Sequence, residues 1–190
     1  MKTVQPIRNK NQVRELAKFY LKRGEIRNYV LIVLSLYTAL RISDLLLLKW
    51  NDVYDFERKR FHRHIEITEK KSGKNKSIAM NAGIIKALKL YSNMAMSEVF
   101  IIENKNTRKA ISRIQAYRII RAAAEILKFQ NRVSCHSLRK TFGYHAWKSG
   151  VSPVVIMEIY NHSSMSITMR YLGVSQDDKD FVYLGMSLTT

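Results

Sequence analysis

Three short stretches of this 190-residue chain carry phosphate-binding side chains inside otherwise apolar runs. The first is Thr38-Ala39-Leu40-Arg41-Ile42-Ser43-Asp44. An arginine between apolar segments is expensive to bury unless its guanidinium meets an anion. An internal ion pair with Asp44 would satisfy it as well as a bound phosphate. The second is His136-Ser137-Leu138-Arg139. On a helix this spacing puts an imidazole and a planar guanidinium on one face, where both can address one phosphate, although such pairs also arise on ordinary surface helices. The third is Asn161-His162-Ser163-Ser164, followed by Thr168-Met169-Arg170-Tyr171. Alone, its tyrosine and histidine read as a packed aromatic beside a satisfied ring.

Composition points to a polyanionic partner. Lys and Arg number 33 against 15 Asp and Glu, a formal charge of +18 and a pI of about 10.1, and such self-repulsion is relieved by DNA, RNA or an anionic membrane. Membrane is the weakest of these. The longest apolar run, Tyr29–Leu40, contains Ser35 and Thr38 and is flanked by Arg27 and Arg41; it is shorter than the roughly 20 residues of a span and suits a buried core helix. The first ten residues hold no apolar run after their charges, so no secretion signal is read there. One cysteine, Cys135, excludes an internal disulfide and a thiolate metal cluster. A reduced, cytoplasmic setting is expected. A hydrophobic share of 46% suits a packed core and excludes a mainly disordered chain.

The elements that must position these side chains are mostly helical. Val13, Leu16, Ala17, Tyr20 and Leu21 recur at helical spacing, with Gly24 closing that helix. A second helix is expected over Arg27–Leu40, then a short one over Leu45–Lys49 capped by Ser43 or Asp44. From Phe61 to Met80, Ile65 and Ile67 alternate with Glu66 and Thr68, Lys71–Asn75 forms a turn, and Ile78 and Met80 alternate again. This is a small hairpin or sheet with a basic tip. Helices follow at Gly83–Met94, Ser112–Leu127, His136–Lys148 (ending near Gly150), Pro153–Tyr160 and Ser164–Tyr171. A last one over Asp177–Leu184 has Asp177, Asp178 and Asp180 at its positive end. The expected class is mainly α with a small antiparallel β-sheet.

Taken together, Arg41, a hairpin with Lys71, the His136/Arg139 pair, His162, and Tyr171 nine positions later form an ordered set. The set resembles the tyrosine recombinase, or phage integrase, family, whose signature runs as an arginine motif, a hairpin lysine, H-x-L-R, and a histidine followed by tyrosine at this distance. The resemblance covers about Gln12 to Val174. It implies the tyrosine recombinase catalytic-domain fold and a DNA strand-exchange enzyme working through a covalent phosphotyrosine at Tyr171. It further implies Arg41 and Arg139 gripping the non-bridging oxygens, His162 as a third phosphate donor, His136 as assisting base, Lys71 as general acid and Asp44 as a supporting acid that orients a histidine. Lys70, Lys74 and Lys76 are expected to contact DNA phosphates. The scheme needs no metal or nucleotide cofactor, because the phosphotyrosine conserves the bond energy. The scattered acids and the lack of a P-loop glycine pattern agree with it.

Ala39 and Asn161 stand where the family commonly has glycine, and Asp44 where it commonly has Glu. Asn161 tolerates a left-handed turn before His162. The length suggests one catalytic domain over residues 1–190, without the N-terminal core-binding domain of many members, and DNA binding from one face that is weak and salt-dependent. The partner is expected to be double-stranded DNA, with four copies on a synapse. Phe181, Val182 and Leu184 either dock onto a neighbour or cover the chain's own core. A type IB topoisomerase and a non-catalytic DNA-binding regulator are the competing readings. Cys135, His62, His64 and His145 are read as packing or surface residues. Met94, Met96, Met157, Met165 and Met169 are read as core fillers, and the Asp177–Asp180 cluster as a helix start.

Overall fold

The helix α2 (Ile26–Tyr37) is almost wholly apolar after its first turn, with Ser35 the exception, and a helix of that kind is stable only when protein surrounds it. In the computed structural model, which describes residues 4–95, 99–174 and 176–187, α2 is shared by two hydrophobic clusters. Val30, Leu31, Val33 and Leu34 face one of them, with Trp50, Ile65, Ile84 and Leu88. Ile32 and Leu36 face the other, with Leu16 and Tyr20 of α1 (Lys10–Lys22), Ile120 and Leu138. No helix among the described residues is long and apolar enough to cross a membrane.

α2 stops at Tyr37, short of the expected Leu40, for local reasons. The Thr38 hydroxyl donates back to the Leu34 carbonyl at 2.7 Å, and Ala39 adopts a left-handed φ of 53° that no helix continues. The chain leaves this corner extended at Arg41, which precedes α3 (Ile42–Leu45). The short helix thus lies earlier than Leu45–Lys49, and neither Ser43 nor Asp44 is its cap. A 3-10 turn at Trp50–Asp52 follows.

Among the described residues, the expected single sheet is three separate two-stranded antiparallel ones. β1 (Tyr54–Asp55) pairs with β2 (Arg60–Phe61). β3 (His64–Thr68) pairs with β4 (Asn75–Ala79), with Ile65 opposite Ile78 and Ile67 opposite Lys76. Beyond α4 (Ala82–Ala95), β5 (Glu103–Asn104) pairs with β6 (Lys109–Ala110). Strands of two residues are too short to show alternation, which is why the sequence pattern reveals the β3–β4 hairpin alone.

α5 (Arg113–Ile126) starts on a capping box between Ser112 and Gln115, and α6 (Cys135–Lys148) on one between Ser134 and Ser137. α7 (Pro153–Tyr160) carries Pro153 in its first turn and ends on a left-handed Asn161 at φ 53°. α8 (Met165–Leu172) ends on a left-handed Gly173. α6, α7 and α8 meet Ala39 in a third cluster built on Ile156, Tyr160 and Leu172. Met169 packs against that cluster, whereas Met94 is 61% exposed and fills no core. Met96 and the Asp177 side chain lie outside the described residues. α9 (Gln176–Gly185) is tied to α6 by Asp178, which pairs with Lys148 at 2.7 Å. Its Phe181, Val182, Tyr183 and Leu184 are 76, 59, 78 and 87% exposed, so they do not cover the chain's own core.

Candidate active site

The corner after α2, the β3–β4 turn, the start of α6, the turn after α7 and the end of α8 surround one cleft of about 970 Å³, lined by Arg41, Lys71, His136, Arg139, His162 and Tyr171. Six residues spread over most of the chain are thus brought to one place.

Arg139 is the most buried of them, at 4% exposure. Its guanidinium donates to the carbonyls of Ala39 and Tyr160 and stacks 4.7 Å from the centre of the Tyr160 ring. The left-handed corner at Ala39 therefore has a purpose visible in the geometry: it aims a carbonyl at the arginine. Arg41 does not pair with Asp44. Its Nη1 meets Glu69 Oε2 at 2.8 Å. Glu69 is fully buried, and the same oxygen also accepts from Ser72 Oγ and from Asn161 Nδ2. One carboxylate thus joins the Arg41 corner, the lysine turn and the α7 terminus. These donors together hold its pKa below the ordinary carboxylate value, against burial, which acts the other way.

Asp44 holds the hairpin. Its Oδ1 accepts from the Lys70 amide at 3.2 Å, so in this structure it orients the lysine turn and not a histidine. Lys71, Lys70 and Lys74 are exposed at the tip. Lys76, expected to contact a DNA phosphate, is turned inward instead. It shares the inward face of β4 with Ile78, and its Nζ donates to the Ile159 carbonyl at 2.7 Å instead of facing solvent. Burial, with Arg139 nearby, lowers its pKa to about 8.

Tyr171 sits in the last turn of α8, half-buried, with its hydroxyl 3.3 Å from His136 Nδ1. Burial raises the phenol's pKa, and Arg139 and Arg41 act against that. The His136 ring meets Tyr171 edge to face at 4.8 Å between centroids. His136 stands at the mouth of the cleft, yet desolvation around the ring, followed by the charges of Lys140 and Arg139, lowers its pKa to about 4. It is therefore neutral at pH 7 and able to accept a proton. The Nδ1 of His162 lies 3.0 Å from Thr168 Oγ1. Its pKa is also lowered to about 4, by burial first and then by Arg139 and Arg41. An anion placed between the two guanidiniums would reverse the effect of those charges.

Sequence reasoning missed several residues here. Glu69 was legible through alternation: it follows β3 on the side of Ile65, where a buried charged side chain needs a partner, and the same alternation on β4 turns Lys76 inward with Ile78. Arg113 and Tyr117 of α5 line the cleft rim, and Arg132 stacks on Tyr117 at 5.6 Å while donating to its hydroxyl. No spacing announced that group. Cys135 behaves as expected: burial raises its thiol pKa to about 11, leaving it unreactive.

Two guanidiniums, two imidazoles, a lysine and a phenol around one cleft are groups that can hold a phosphate, and comparison with known proteins gives the family. The description "Phage integrase family" matches residues 8–177. A probable integrase/recombinase, YoeC of Bacillus subtilis, is 36% identical over 183 residues, covering 96% of this chain and 97% of that protein. Tyrosine recombinase XerA of Pyrococcus furiosus is 24% identical over 177 residues, covering 92% of this chain but 59% of its relative. Among solved structures, a XerA recombinase superposes with a TM-score of 0.76 at 23% identity, covering 96% of this chain and 66% of that one. A XerH site-specific recombinase bound to a palindromic difH substrate superposes with a TM-score of 0.77 at 16% identity, over 96% of this chain and 53% of that one. The chain therefore belongs to the phage integrase family, as an enzyme of the tyrosine recombinase type. Its fold is that family's catalytic-domain fold, mostly helical with small antiparallel sheets.

Proposed function

We propose that this chain, as one catalytic domain, recombines DNA at specific sites through a covalent 3′-phosphotyrosine on Tyr171. The observation that carries the reading is the convergence of Arg41, Arg139, His162 and the Tyr171 hydroxyl on one cleft, with His136 at 3.3 Å from that hydroxyl. The phenol oxygen attacks the backbone phosphorus, its proton passing to neutral His136, and the 5′ oxygen leaves with a proton from Lys71. The reverse reaction, with a different 5′ hydroxyl, rejoins the strand. Bond number is conserved at each step, so neither metal nor nucleotide is needed to drive it.

Arg41 and Arg139 stabilise the charge that builds on the non-bridging oxygens, a role where losing one donor lowers rates by about 10²- to 10³-fold. His162 becomes a further donor once phosphate raises its pKa. Asp44 and Glu69 hold the turn from which Lys71 reaches the leaving oxygen. Lys70 and Lys74 contact flanking phosphates, where the excess of basic residues favours a DNA duplex. The exposed apolar side of α9 supports docking onto a neighbouring copy, and thus a homotetramer on two synapsed duplexes.

The test is a pool of nicked duplexes with randomised cores, in which a short cleaved product diffuses away and traps the enzyme on DNA. Native protein should yield a denaturation-resistant adduct and Tyr171→Phe none, with DNA binding retained in both. Equal adduct from both proteins would refute the assignment.

A further inference from the structure

Lys140 is 7% exposed and lies one turn after His136 on the same face of α6. A buried lysine normally has a carboxylate or carbonyl partner. Here no hydrogen bond or ion pair to its ammonium is found among the described residues, and its Nζ stands 5.1 Å from the centre of the Tyr171 ring. The ammonium addresses the ring face and leaves the hydroxyl edge to His136, and Lys140 is not among the residues lining the cleft.

The groups around the Tyr171 ring explain why such a cation is useful. His136 and Arg139 approach from α6, Tyr160 from α7, His162 from the turn that follows, and Arg41 from the corner before α3, with Glu69 behind Arg41. Arg41 and Arg139 are the groups that a bound phosphate would neutralise. Once DNA is seated, their field no longer favours loss of the phenol proton. Lys140 does not line the cleft where that phosphate would sit, and its ammonium acts on the ring from outside it, although burial lowers the lysine's own pKa. A cation over an aromatic face attracts a neutral phenol weakly and a phenolate strongly, because the phenolate charge is delocalised into the ring. A group that binds one protonation state better than the other shifts the balance towards it.

We propose that Lys140 is a positioning residue for the nucleophile, holding an ammonium on the Tyr171 ring face that fixes the ring and favours its phenolate in the DNA complex. The inference rests on the reading of Tyr171 as nucleophile, but its test does not require cleavage. 3,5-Difluorotyrosine is placed at position 171 of the full chain, and its fluorine resonance is titrated in native, Lys140→Met, Lys140→Gln and Lys140→Arg backgrounds. Removing the charge should raise the phenol midpoint by about one pH unit, a tenfold change in the ionisation constant, and Lys140→Arg should restore most of it. With ordinary tyrosine, the rising limb of the cleavage pH profile should move up by the same amount in Lys140→Met and Lys140→Gln. An unchanged midpoint in either neutral variant that still unfolds cooperatively would overturn the proposal, as would a loss of cleavage equal at every pH. If Tyr171→Phe still forms adduct, the nucleophile reading falls, while the fluorine titration still decides the role of Lys140.

Discussion

Removing the Glu69 carboxylate should do more damage than removing any surface charge, and the structure sets the size of the effect. Three donors on three separate segments, Arg41, Ser72 and Asn161, converge on one buried oxygen. A hydrogen bond to a charged group contributes about 1.5–3 kcal/mol, and breaking a buried ion pair by deleting one partner costs about 3–5 kcal/mol. The Arg41 side chain is 25% exposed, so water recovers part of that cost. The expected loss for Glu69→Ala is therefore about 3 kcal/mol, which in a chain of this size lowers Tm by about 6–12 °C. Glu69→Gln keeps the shape and loses the charge, and should cost about half as much. The assay is urea unfolding at pH 7 with m unchanged, together with a double-mutant cycle against Arg41→Met, where a coupling of about 2 kcal/mol is expected. The folded carboxyl titrates below its ordinary value, so this stabilisation is complete above the unfolded pKa and fades as pH falls through the folded one. A Glu69→Ala loss below about 1 kcal/mol with an additive cycle would refute the view that this carboxylate joins the three segments.

Other consequences are as definite. Gly143 faces Tyr160 so closely that an added Cβ would lie 2.8 Å from ring carbon Cε2 and closer still to the hydroxyl, which accepts from the Gly143 amide; Gly143→Ala should cost about 1–3 kcal/mol and slow cleavage by displacing the ring on which Arg139 stacks, both measurable on the purified variant. Lys71→Ala should abolish cleavage of ordinary DNA but retain most of it on a 5′-bridging phosphorothiolate, whose sulfur leaves without a proton; failure of that substrate to rescue would remove Lys71 from the general-acid role. His136 and His162 titrate near pH 4 in the fold against an ordinary 6.5. The stability each contributes is thus present above pH 6.5 and lost as pH falls towards 4, about 1 kcal/mol each once solvent screening is allowed for. Paired unfolding curves at pH 7.5 and 4.5 should show a smaller acid loss in the His136→Gln/His162→Gln double variant than in the native chain.

The ordered set was legible through its joint order and spacing, which resemble the family's signature, and not through any member alone: Arg41 in an apolar run, the His136/Arg139 face, and the distance from His162 to Tyr171. All of these line the cleft. The helices were legible through period and, for α7, through Pro153 in the first turn. What failed was local. The end of α2 is set by a hydroxyl back-bond at Thr38 and a left-handed alanine, and neither leaves a periodic trace. Lys76 was read with Lys70 and Lys74 as a DNA-phosphate contact, although its place in the β4 alternation turns it inward. Glu69 lies just after β3 on the inward side and was passed over, because its partner Arg41 is distant in sequence. The Lys140 contact with Tyr171 joins α6 to α8, and no pattern within one helix reports it.

The central claim is that one phosphorus lies within reach of the Tyr171 oxygen while two guanidiniums hold its free oxygens. Mass spectrometry of the trapped adduct, after nuclease and protease digestion, tests it directly. The account predicts a 3′-nucleotide phosphate on the peptide containing Tyr171, obtained from native protein and lost in Arg41→Ala and Arg139→Ala. A phosphate on any other side chain, or a Tyr171 adduct formed equally well without either arginine, would contradict it.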